Sequence, residues 1–456
     1  MRRPARSPWV GFSAVAVGTF MATLDGSIVN VALPAMAQQL SASIGSLQWV
    51  VTAYLLVISA TLLASGRHGD IIGHRRVFVG GLLVFTLGSG LCGLSSGVSA
   101  LVASRLVQAL GASAMMSMAP AAITAIFPPE QRGRALGGIA SVVAAGLTVG
   151  PPLGGLLVDL FSWRAIFLVN LPIGVAGAVW AARALPGGSA APGARFDAPG
   201  AAWFGASLAA GVGALEVAPR SGRPALALAL AAAAAAAGFV RRERRAPSPL
   251  VDGAVFRDRT FSLGLAASLL SYAALFTQTL LSPFYLSRVK GLSEGEMGLM
   301  MTAVPLALSV TSPLAGWLSD RYGPRALCLA GAAVLAAGLL ALSRAGAEDS
   351  LASLAARYAL EGVGMGLFQP PNNSAVMGSL SRERLGMGGG LLATARNLGM
   401  VTGVTLAGAL FAARAGAGLE VASFLSGWQL ALGAGAALAA SAGLLSLRAG
   451  RGTAAP

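Results

Sequence analysis

The sequence has few charged residues, few cysteines and few histidines, and each shortage excludes a class of protein. Charged residues make up 11% of the 456 residues, whereas soluble domains carry roughly 25%. A chain with so little charge and with 55% hydrophobic residues cannot solvate the surface of a soluble fold, and it is too apolar for a disordered one. The two cysteines, Cys92 and Cys328, both lie in apolar runs, so we expect buried core residues and no disulfide framework.

The shortage of histidine also argues against an enzyme. The two histidines, His68 and His74, share one polar segment, and the chain has no Cys/His cluster, no phosphate-binding Gly-Lys motif and no nucleotide-binding region. We therefore expect no catalytic residue, no metal site and no cofactor. Any work that the protein performs would draw on an ion gradient and not on ATP.

Long apolar runs fill most of the chain. A membrane-spanning helix needs about 20 apolar residues, and fourteen runs approach or exceed that length. They cover residues 9–33, 46–66, 77–97, 99–126, 135–158, 165–184, 198–217, 224–240, 261–283, 297–318, 325–344, 351–371, 387–412 and 428–447. The run 224–240 is the weakest, because alanine fills residues 231–237. The sequence thus predicts an all-α integral membrane protein with fourteen transmembrane helices.

The basic residues predict the orientation of these helices. With the amino terminus in the cytoplasm, 22 of the 32 basic residues fall in cytoplasmic segments and 7 in outer segments, which is the asymmetry of the positive-inside rule. We expect a multi-pass protein of the cell membrane with both termini cytoplasmic. The net charge of +15 does not indicate nucleic-acid binding, because the arginines lie in short clusters between apolar runs.

One motif occurs twice, 250 positions apart. Its first copy is Gly66, Asp70, Gly73 and Arg75, and its second copy is Gly316, Asp320, Gly323 and Arg325. Both copies follow an apolar run and lie in a short predicted cytoplasmic loop. Farther along the chain, Arg105 is matched by Arg357, which lies 252 positions later. The chain is therefore predicted to consist of two related halves.

The repeat spans eight helices by position, which fits two six-helix halves with two helices inserted between them. We expect an N-terminal six-helix bundle over residues 1–184, a linker with the two inserted helices over residues 185–245, and a C-terminal six-helix bundle over residues 246–456. Parallel repeats of this kind are a transporter architecture in which the substrate site lies at mid-membrane between the halves.

Five motifs follow one another on successive predicted helices and loops. They occupy residues 24–34, 66–76, 105–111, 146–155 and 163–174. Together they resemble the major facilitator superfamily, and specifically its fourteen-helix drug:proton antiporter branch. Ala109 departs from the pattern, since the branch usually has glycine there. The resemblance covers nearly the whole chain and implies the major facilitator fold with two pseudo-symmetric six-helix bundles.

Asp25 lies inside the first apolar run, where a carboxylate is costly and marks an ion or substrate path. A carboxyl group placed between apolar surroundings, which favour its neutral form, and an arginine, which favours its charged form, can load and release a proton. Asp25 lies some way from the outer end of predicted helix 1, and Arg105 lies a short way into predicted helix 4, which enters from outside, so their depths could overlap. By resemblance, both residues couple proton uptake to substrate exit. The alternative is a fixed structural ion pair.

Arg357 and Glu361 are four residues apart on predicted helix 12, so they share a face. An intrahelical ion pair hidden from lipid is the simpler interpretation. The functional interpretation is a second proton or cation site. The family usually has no acid at this position, so Glu361 is particular to this chain. Arg396 on helix 13 is interpreted as structural.

The repeated loop motif is interpreted as a cytoplasmic gate. Asp70 ends helix 2, and Arg75 and Arg76 open helix 3, so charged hydrogen bonds across the loop could hold one conformation closed. Gly69 and Gly73 would permit the tight turn. The second half is expected to do the same through Asp320, Arg321 and Arg325. The alternative is simple anchoring of the topology by positive charge.

Small residues at a spacing of four line predicted helix 5. The stripe permits close helix contact, and its two prolines loosen the helix. By resemblance, the stripe seals one side of the protein against a second-half helix and is associated with export; the alternative is generic small-residue packing. The residues of this helix-interface gate are Gly146, Gly150, Pro151, Gly154 and Gly155.

The resemblance implies a monomeric secondary transporter that exports amphiphilic drugs or toxic compounds in exchange for protons by alternating access. Its partners would be the small amphiphilic substrate, protons and the lipid bilayer. Two alternatives remain open: a dedicated exporter or importer of one metabolite or antibiotic on the same fold, and sodium as the coupling ion.

Overall fold

The computed structural model describes residues 7–187, 196–218, 221–246, 250–381, 384–415 and 420–449. The two termini, whose cytoplasmic location is predicted above, lie outside the described residues. Most of the predicted linker after residue 185 lies outside them too.

The described residues form fourteen long helices and no strand. They are α1 (Pro8–Gln39), α2 (Ile44–Ile72), α3 (His74–Gly93), α4 (Val98–Ile126), α5 (Pro129–Leu160), α6 (Ala165–Ala184), α7 (Ala198–Val217), α8 (Gly222–Glu243), α9 (Arg259–Arg288), α10 (Glu294–Tyr322), α11 (Pro324–Ser343), α12 (Leu351–Gly378), α13 (Leu385–Ala415) and α14 (Val421–Ala449). Helices α6 and α10 are each interrupted once, at Val169 and Thr302. A short 3-10 helix, Gly253–Arg257, precedes α9.

Thirteen of these helices are long and apolar enough to cross a membrane, counting the described residues alone. The other long helix, α12, has 28 residues but carries Arg357 and Glu361 together with the polar segment Gln369 to Ser374. The predicted all-helical membrane fold is confirmed. The alanine-rich run also forms a helix, α8, with a mean hydropathy of 1.7.

The two copies of the repeated motif adopt the same turn. Gly73 between α2 and α3 has φ +99°, and Gly323 between α10 and α11 has φ +82°. A side chain is strained at such angles, so glycine is required to join these helices through a single residue. Gly69, which we expected in the turn, lies inside α2 and packs on Met118 of α4 instead.

The packing of α3 on α4 is repeated by the packing of α11 on α12. Gly81 and Gly88 of α3 correspond to Gly331 and Gly338 of α11, each 250 positions later. The residues that they contact on α4 and α12 correspond at a distance of 253 positions, because the loop before α12 is three residues longer than the loop before α4. Gly88 contacts Gln108, and Gly338 contacts Glu361. The expected match of Arg105 with Arg357 is therefore displaced by one residue, and Tyr358 occupies the place of Arg105.

Helix α1 lies at the centre of the molecule, since 67% of its most apolar stretch is buried against 6% for α8. It packs against α4, α5, α6 and α9. Within each half, short loops join successive helices, so these loops alternate between two ends. We call the end with the α1–α2, α5–α6 and α9–α10 loops the odd-loop end, and the end with the α2–α3 and α10–α11 loops the even-loop end.

The inserted helices α7 and α8 pack on each other, and α7 covers the line where α2 meets α13. Near the odd-loop end, Gln48 of α2 donates from Nε2 to Oε2 of Glu216 on α7 at 2.7 Å. The Gln48 amide also lies against Gly408 of α13, where a larger residue would overlap it. One buried polar contact thus lies where α2, α7 and α13 meet.

Candidate functional site

Asp25 lies near the middle of α1 and is fully buried. Arg105 Nη1 of α4 is 2.5 Å from one carboxylate oxygen, Oδ2. The other oxygen, Oδ1, accepts hydrogen bonds from Gln108 Nε2 of α4 at 2.7 Å and from Asn170 Nδ2 of α6 at 3.3 Å. The structure therefore brings Asp25 and Arg105 together at the depth where the sequence places both.

The Arg105 guanidinium is also held on its other sides. Its Nε donates to the Val50 carbonyl oxygen at 3.2 Å, and its Nη1 donates to Gln108 Oε1 at 2.7 Å. The guanidinium carbon lies 3.8 Å from the centre of the Tyr54 ring, which is a cation–π contact. These contacts compensate for the water that a buried charge loses.

All of these groups belong to the first six helices, so the Asp25 network does not bridge the two halves. The network is neutral overall while Asp25 is ionised. A proton on Asp25 would leave Arg105 without its counter-charge and would weaken the hydrogen bonds that Gln108 and Asn170 donate. The arrangement can therefore convert the uptake of one proton into a change in how α1 is held.

Gln108, Asn170 and Tyr54 were not singled out as site residues from the sequence. Gln108 and Asn170 lie in two of the five motifs, so their motif positions could have identified them as site residues. A further layer supports them: Asn170 Nδ2 donates to Ser89 Oγ at 3.1 Å, and Cys92 Sγ lies 3.6 Å from Gln108 Oε1. Tyr54 lies in an apolar run with no distinguishing pattern.

The face of α1 away from this network packs on the small-residue stripe of α5. A Cβ at Gly146 would overlap Thr23, one at Gly150 would overlap Ser27, and one at Gly154 would stand 3.0 Å from the Ile28 carbonyl oxygen. The expectation that this stripe touches the second half is therefore wrong for these three glycines. A spacing of four residues predicts a close helix contact but does not identify the partner helix.

The contact with the second half is made beside the stripe. A Cβ at Gly155 would overlap the Glu294 carbonyl of α10, and a Cβ at Gly298 of α10 would overlap the Pro151 carbonyl of α5. Asp159, in the last turn of α5, accepts a hydrogen bond from the Gly295 amide at 2.9 Å. Thus α5 and α10 cross backbone against backbone at the odd-loop end.

The same two helices separate toward the even-loop end. Gly133 and Gly137 of α5 and Gly316 of α10 have no atom within 4 Å of the point where a Cβ would stand. Along α5 and α10 the halves are therefore closed against each other at the odd-loop end and open toward the even-loop end. Helices α2 and α13 still meet near the even-loop end, where Leu63 lies 3.4 Å from the point at which a Cβ at Gly390 would stand.

The charges of the loop motif are arranged differently from the expected gate. Asp70 is exposed; its nearest partners are His74 Nε2 at 3.3 Å and Arg67 Nη1 at 3.9 Å. The expected bonds from Arg75 and Arg76 to Asp70 are absent from the described structure. Over the described residues, the other predicted gate charges form no ion pair either: Asp320, Arg321 and Arg325. This is consistent with the separation of α5 and α10 toward the even-loop end.

Arg357 does not pair with Glu361. Its Nη2 lies 2.5 Å from Oδ1 of Asp349, in the loop before α12. Asp349 also accepts a hydrogen bond from the Gly346 amide at 2.7 Å. That amide, and then the Arg357 guanidinium, hold the pKa of Asp349 below its usual value. The expected intrahelical pair is wrong because the loop supplies an acid closer to the arginine.

Glu361 is fully buried in the second half, and neither of its carboxyl oxygens has a hydrogen-bond partner. It packs against Gly338 of α11. Arg357 and Glu361 therefore do not form a pair, and Glu361 is an acid without a counter-charge in the core of the second half.

Comparison with known proteins identifies the family. The Major Facilitator Superfamily profile matches residues 15–293 and again residues 263–454. The chain is 33% identical to the riboflavin transporter RibZ of Clostridioides difficile, over 89% of each chain. It is 34% identical to the multidrug resistance protein Stp of Mycobacterium tuberculosis (strain CDC 1551 / Oshkosh), over 88% of this chain and 75% of that one.

The fold is also that of a solved transporter. A bacterial homologue of the human lysosomal transporter Spinster, in its inward-facing and unoccupied conformation, superposes with a TM-score of 0.69 over 98% of both chains at 16% identity. At that identity the likeness concerns the fold alone. Together with the family profile and the sequence relatives, it leads to one conclusion: the chain is a transporter that belongs to the Major Facilitator Superfamily.

Proposed function

We propose that the protein exports amphiphilic compounds across the cell membrane in exchange for protons, by alternating access between its two halves. The Asp25–Arg105 pair carries this proposal. A buried, fully hydrogen-bonded carboxylate at the centre of the most buried helix is a proton site that can act on the surrounding helices. The relationship to a protein named for multidrug resistance supports export, since a transporter can confer resistance by lowering the internal concentration of a compound.

The mechanism follows from the contacts of α1. Protonation of Asp25 removes the charge that holds Arg105, Gln108 and Asn170 on one face of the helix. The opposite face of α1 rests on the glycine stripe of α5, so a shift of α1 is passed to α5 with no flexible side chain between them. Helix α5 in turn meets α10 of the second half at Gly155 and Gly298. One proton could thus bias the crossing that closes the odd-loop end.

The distribution of basic residues favours an odd-loop end that faces the outside of the cell. The described conformation would then open to the cytoplasm, where the substrate is collected. Protons from outside would reach Asp25 after the protein changes to the conformation that is open to the outside. The protein would act as a monomer, with both termini in the cytoplasm and no cofactor.

A second candidate is a carrier dedicated to one metabolite. The relationship to a riboflavin transporter favours this candidate, because the similarity covers 89% of both chains. On this candidate the same proton site and the same crossing would serve a narrow substrate pocket.

Proton release from everted membrane vesicles under an imposed pH gradient tests the proposal. Ethidium, then neutral and anionic antibiotics, then riboflavin would be added to vesicles with wild-type protein or with Asp25→Asn. Proton release caused by ethidium or the antibiotics and lost in Asp25→Asn is the expected result. A response to riboflavin alone would favour the dedicated carrier. An unchanged response in Asp25→Asn would refute the role of Asp25.

A further inference from the structure

Glu361 is an acid that the proposed mechanism does not use. It is 0% exposed, and both of its oxygens lack a hydrogen-bond partner. Tyr358, one turn earlier on α12, lies near it and has Ser282 of α9 as its own polar neighbour. A bare carboxylate in such surroundings costs several kcal/mol or more, whereas a neutral carboxylic acid costs far less. Glu361 therefore carries its proton in this conformation.

The helices packed on α12 bring no charge to Glu361. Helix α9 brings the uncharged side chains of Ser282 and Tyr285 beside Tyr358. Helix α11 carries Cys328, but its thiol faces the Phe368 carbonyl, about two turns away from Glu361. The charged residues of α9, α10 and α11 lie at or near the helix ends: Arg259, Arg288, Glu294, Glu296, Asp320, Arg321 and Arg325. Arg396 of α13 lies beside Tyr272, not beside Glu361.

The repeat shows that this arrangement is not a copy of the first half. The glycine contacts of α13 on α9 repeat those of α5 on α1, so that Ala273 corresponds to Ile28. In this alignment Leu270 corresponds to Asp25. Tyr358 stands at the place of the first-half arginine. Glu361 stands at the place of Gln108. The second half therefore lacks the buried ion pair and has instead a single acid, which lies one helical turn after the place of the first-half arginine.

Glu361 also lies beside the moving part of the structure. The next residue, Gly362, packs on the Val304 carbonyl of α10, where a Cβ would overlap it. Six residues earlier on α10, Gly298 makes the backbone crossing with Pro151 of α5. The contact of α10 with α5 and its contact beside Glu361 thus lie less than two turns apart on one helix, so a displacement of α10 at the crossing would reach the surroundings of Glu361.

We propose that Glu361 is a second proton-binding site, which holds its proton while the odd-loop end is closed and releases it when α10 moves. Water that reaches the site takes the proton as the carboxyl O–H bond breaks, and the proton is taken up again when the site closes. This inference rests on the proposed function. It adds that the chain exchanges two protons for each substrate, one at Asp25 and one at Glu361.

Infrared spectroscopy tests the site without a substrate. Purified wild-type protein in lipid should show the carbonyl stretch of a protonated, non-bonded carboxylic acid at neutral pH. The band should be missing from Glu361→Gln and present in Glu348→Gln, an exposed loop acid. In D2O it should shift slowly but completely as the protein samples its open form. An absent band, or one that never exchanges, would overturn the proposal.

Proton stoichiometry in proteoliposomes tests the role. Ethidium counter-transport would be measured against imposed pH gradients to find the gradient that balances a fixed ethidium gradient. The proton-to-ethidium ratio should fall by half in Glu361→Gln and stay unchanged in Glu348→Gln. An unchanged ratio in Glu361→Gln would make Glu361 a structural acid. If wild-type protein moves no protons with any compound while the infrared band exchanges, the proposed function fails and the proton site stands.

Discussion

Arg105 Nη1 lies 2.5 Å from Asp25 Oδ2, and neither side chain is more than 2% exposed. The two charges are joined inside one half of the protein and are held by donors from that half alone. The pair therefore cannot act as a latch between the halves. Its effect on the halves must pass through the packing of α1 on α5.

Removal of one member of this pair should destabilise the protein more than removal of both. Arg105→Gln leaves the buried Asp25 charge without a partner, which should cost about 3–5 kcal/mol. Asp25→Asn combined with Arg105→Gln leaves neutral groups that can still form hydrogen bonds, so much of that loss should return. Thermal unfolding in detergent of both single variants and the double variant measures the coupling. Equal losses in Arg105→Gln and in the double variant would contradict it.

The crossing of α5 and α10 should tolerate no added atom. Gly155→Ala adds a methyl group that overlaps the Glu294 carbonyl oxygen, so the odd-loop end should open and transport should fall. Gly133→Ala on the same helix is the matched control, since no atom lies within 4 Å there. Spin labels on the exposed positions Phe161 and Leu299 would report the separation. A longer or broader distance is expected in Gly155→Ala alone.

The contact of α3 with α4 should fix the position of Gln108 in the network. A Cβ at Gly88 would stand 2.5 Å from the Gln108 backbone nitrogen, whereas one at Gly80 meets nothing within 4 Å. Gly88→Ala should therefore cost about 1–3 kcal/mol through overpacking and reduce proton coupling. Gly80→Ala should leave unfolding temperature and transport as they are. Equal behaviour of the two variants would show that α3 can shift without disturbing Asp25.

Asp349 should make the protein sensitive to acid. Because its pKa is lowered in the folded state, its ionised form stabilises the protein above about pH 4, the ordinary value for aspartate. That stability is lost as the pH falls through the lowered folded pKa. The difference in unfolding temperature between wild type and Asp349→Asn should be largest at neutral pH and should shrink in acid. Glu348→Gln, one residue away and exposed, should show no such difference.

The sequence predicted the helices better than their contacts. Fourteen apolar runs correspond to fourteen helices because the requirement to span a bilayer acts on each segment separately. The meeting of Asp25 with Arg105 could be expected from depth, since both lie in the outer halves of their predicted helices. The pairing of Arg357 could not, because Asp349 reaches it through the fold of a loop that has no helical period.

The glycines show the same limit. Spacing identified Gly146, Gly150 and Gly154 as a smooth face, but a face alone does not name its partner. Similarly, the match of the two halves is displaced by three residues across a longer loop, which moved the counterpart of Arg105 from Arg357 to Tyr358. Helix periodicity is a local property, whereas partner and register depend on the whole assembly.

The polarity of α12 has a consequence for the biogenesis of the protein. A charged residue at the centre of an inserting helix costs about 2.5–3.5 kcal/mol, so α12 is poorly suited to enter the bilayer alone. Its predecessor α11 has a mean hydropathy of 2.2 and offers Gly338 as a smooth surface for Glu361. The two helices should therefore leave the translocon as a hairpin. In a glycosylation-mapping assay, α12 should insert far better behind α11 than in isolation, so the acid would be shielded before the rest of the second half is made.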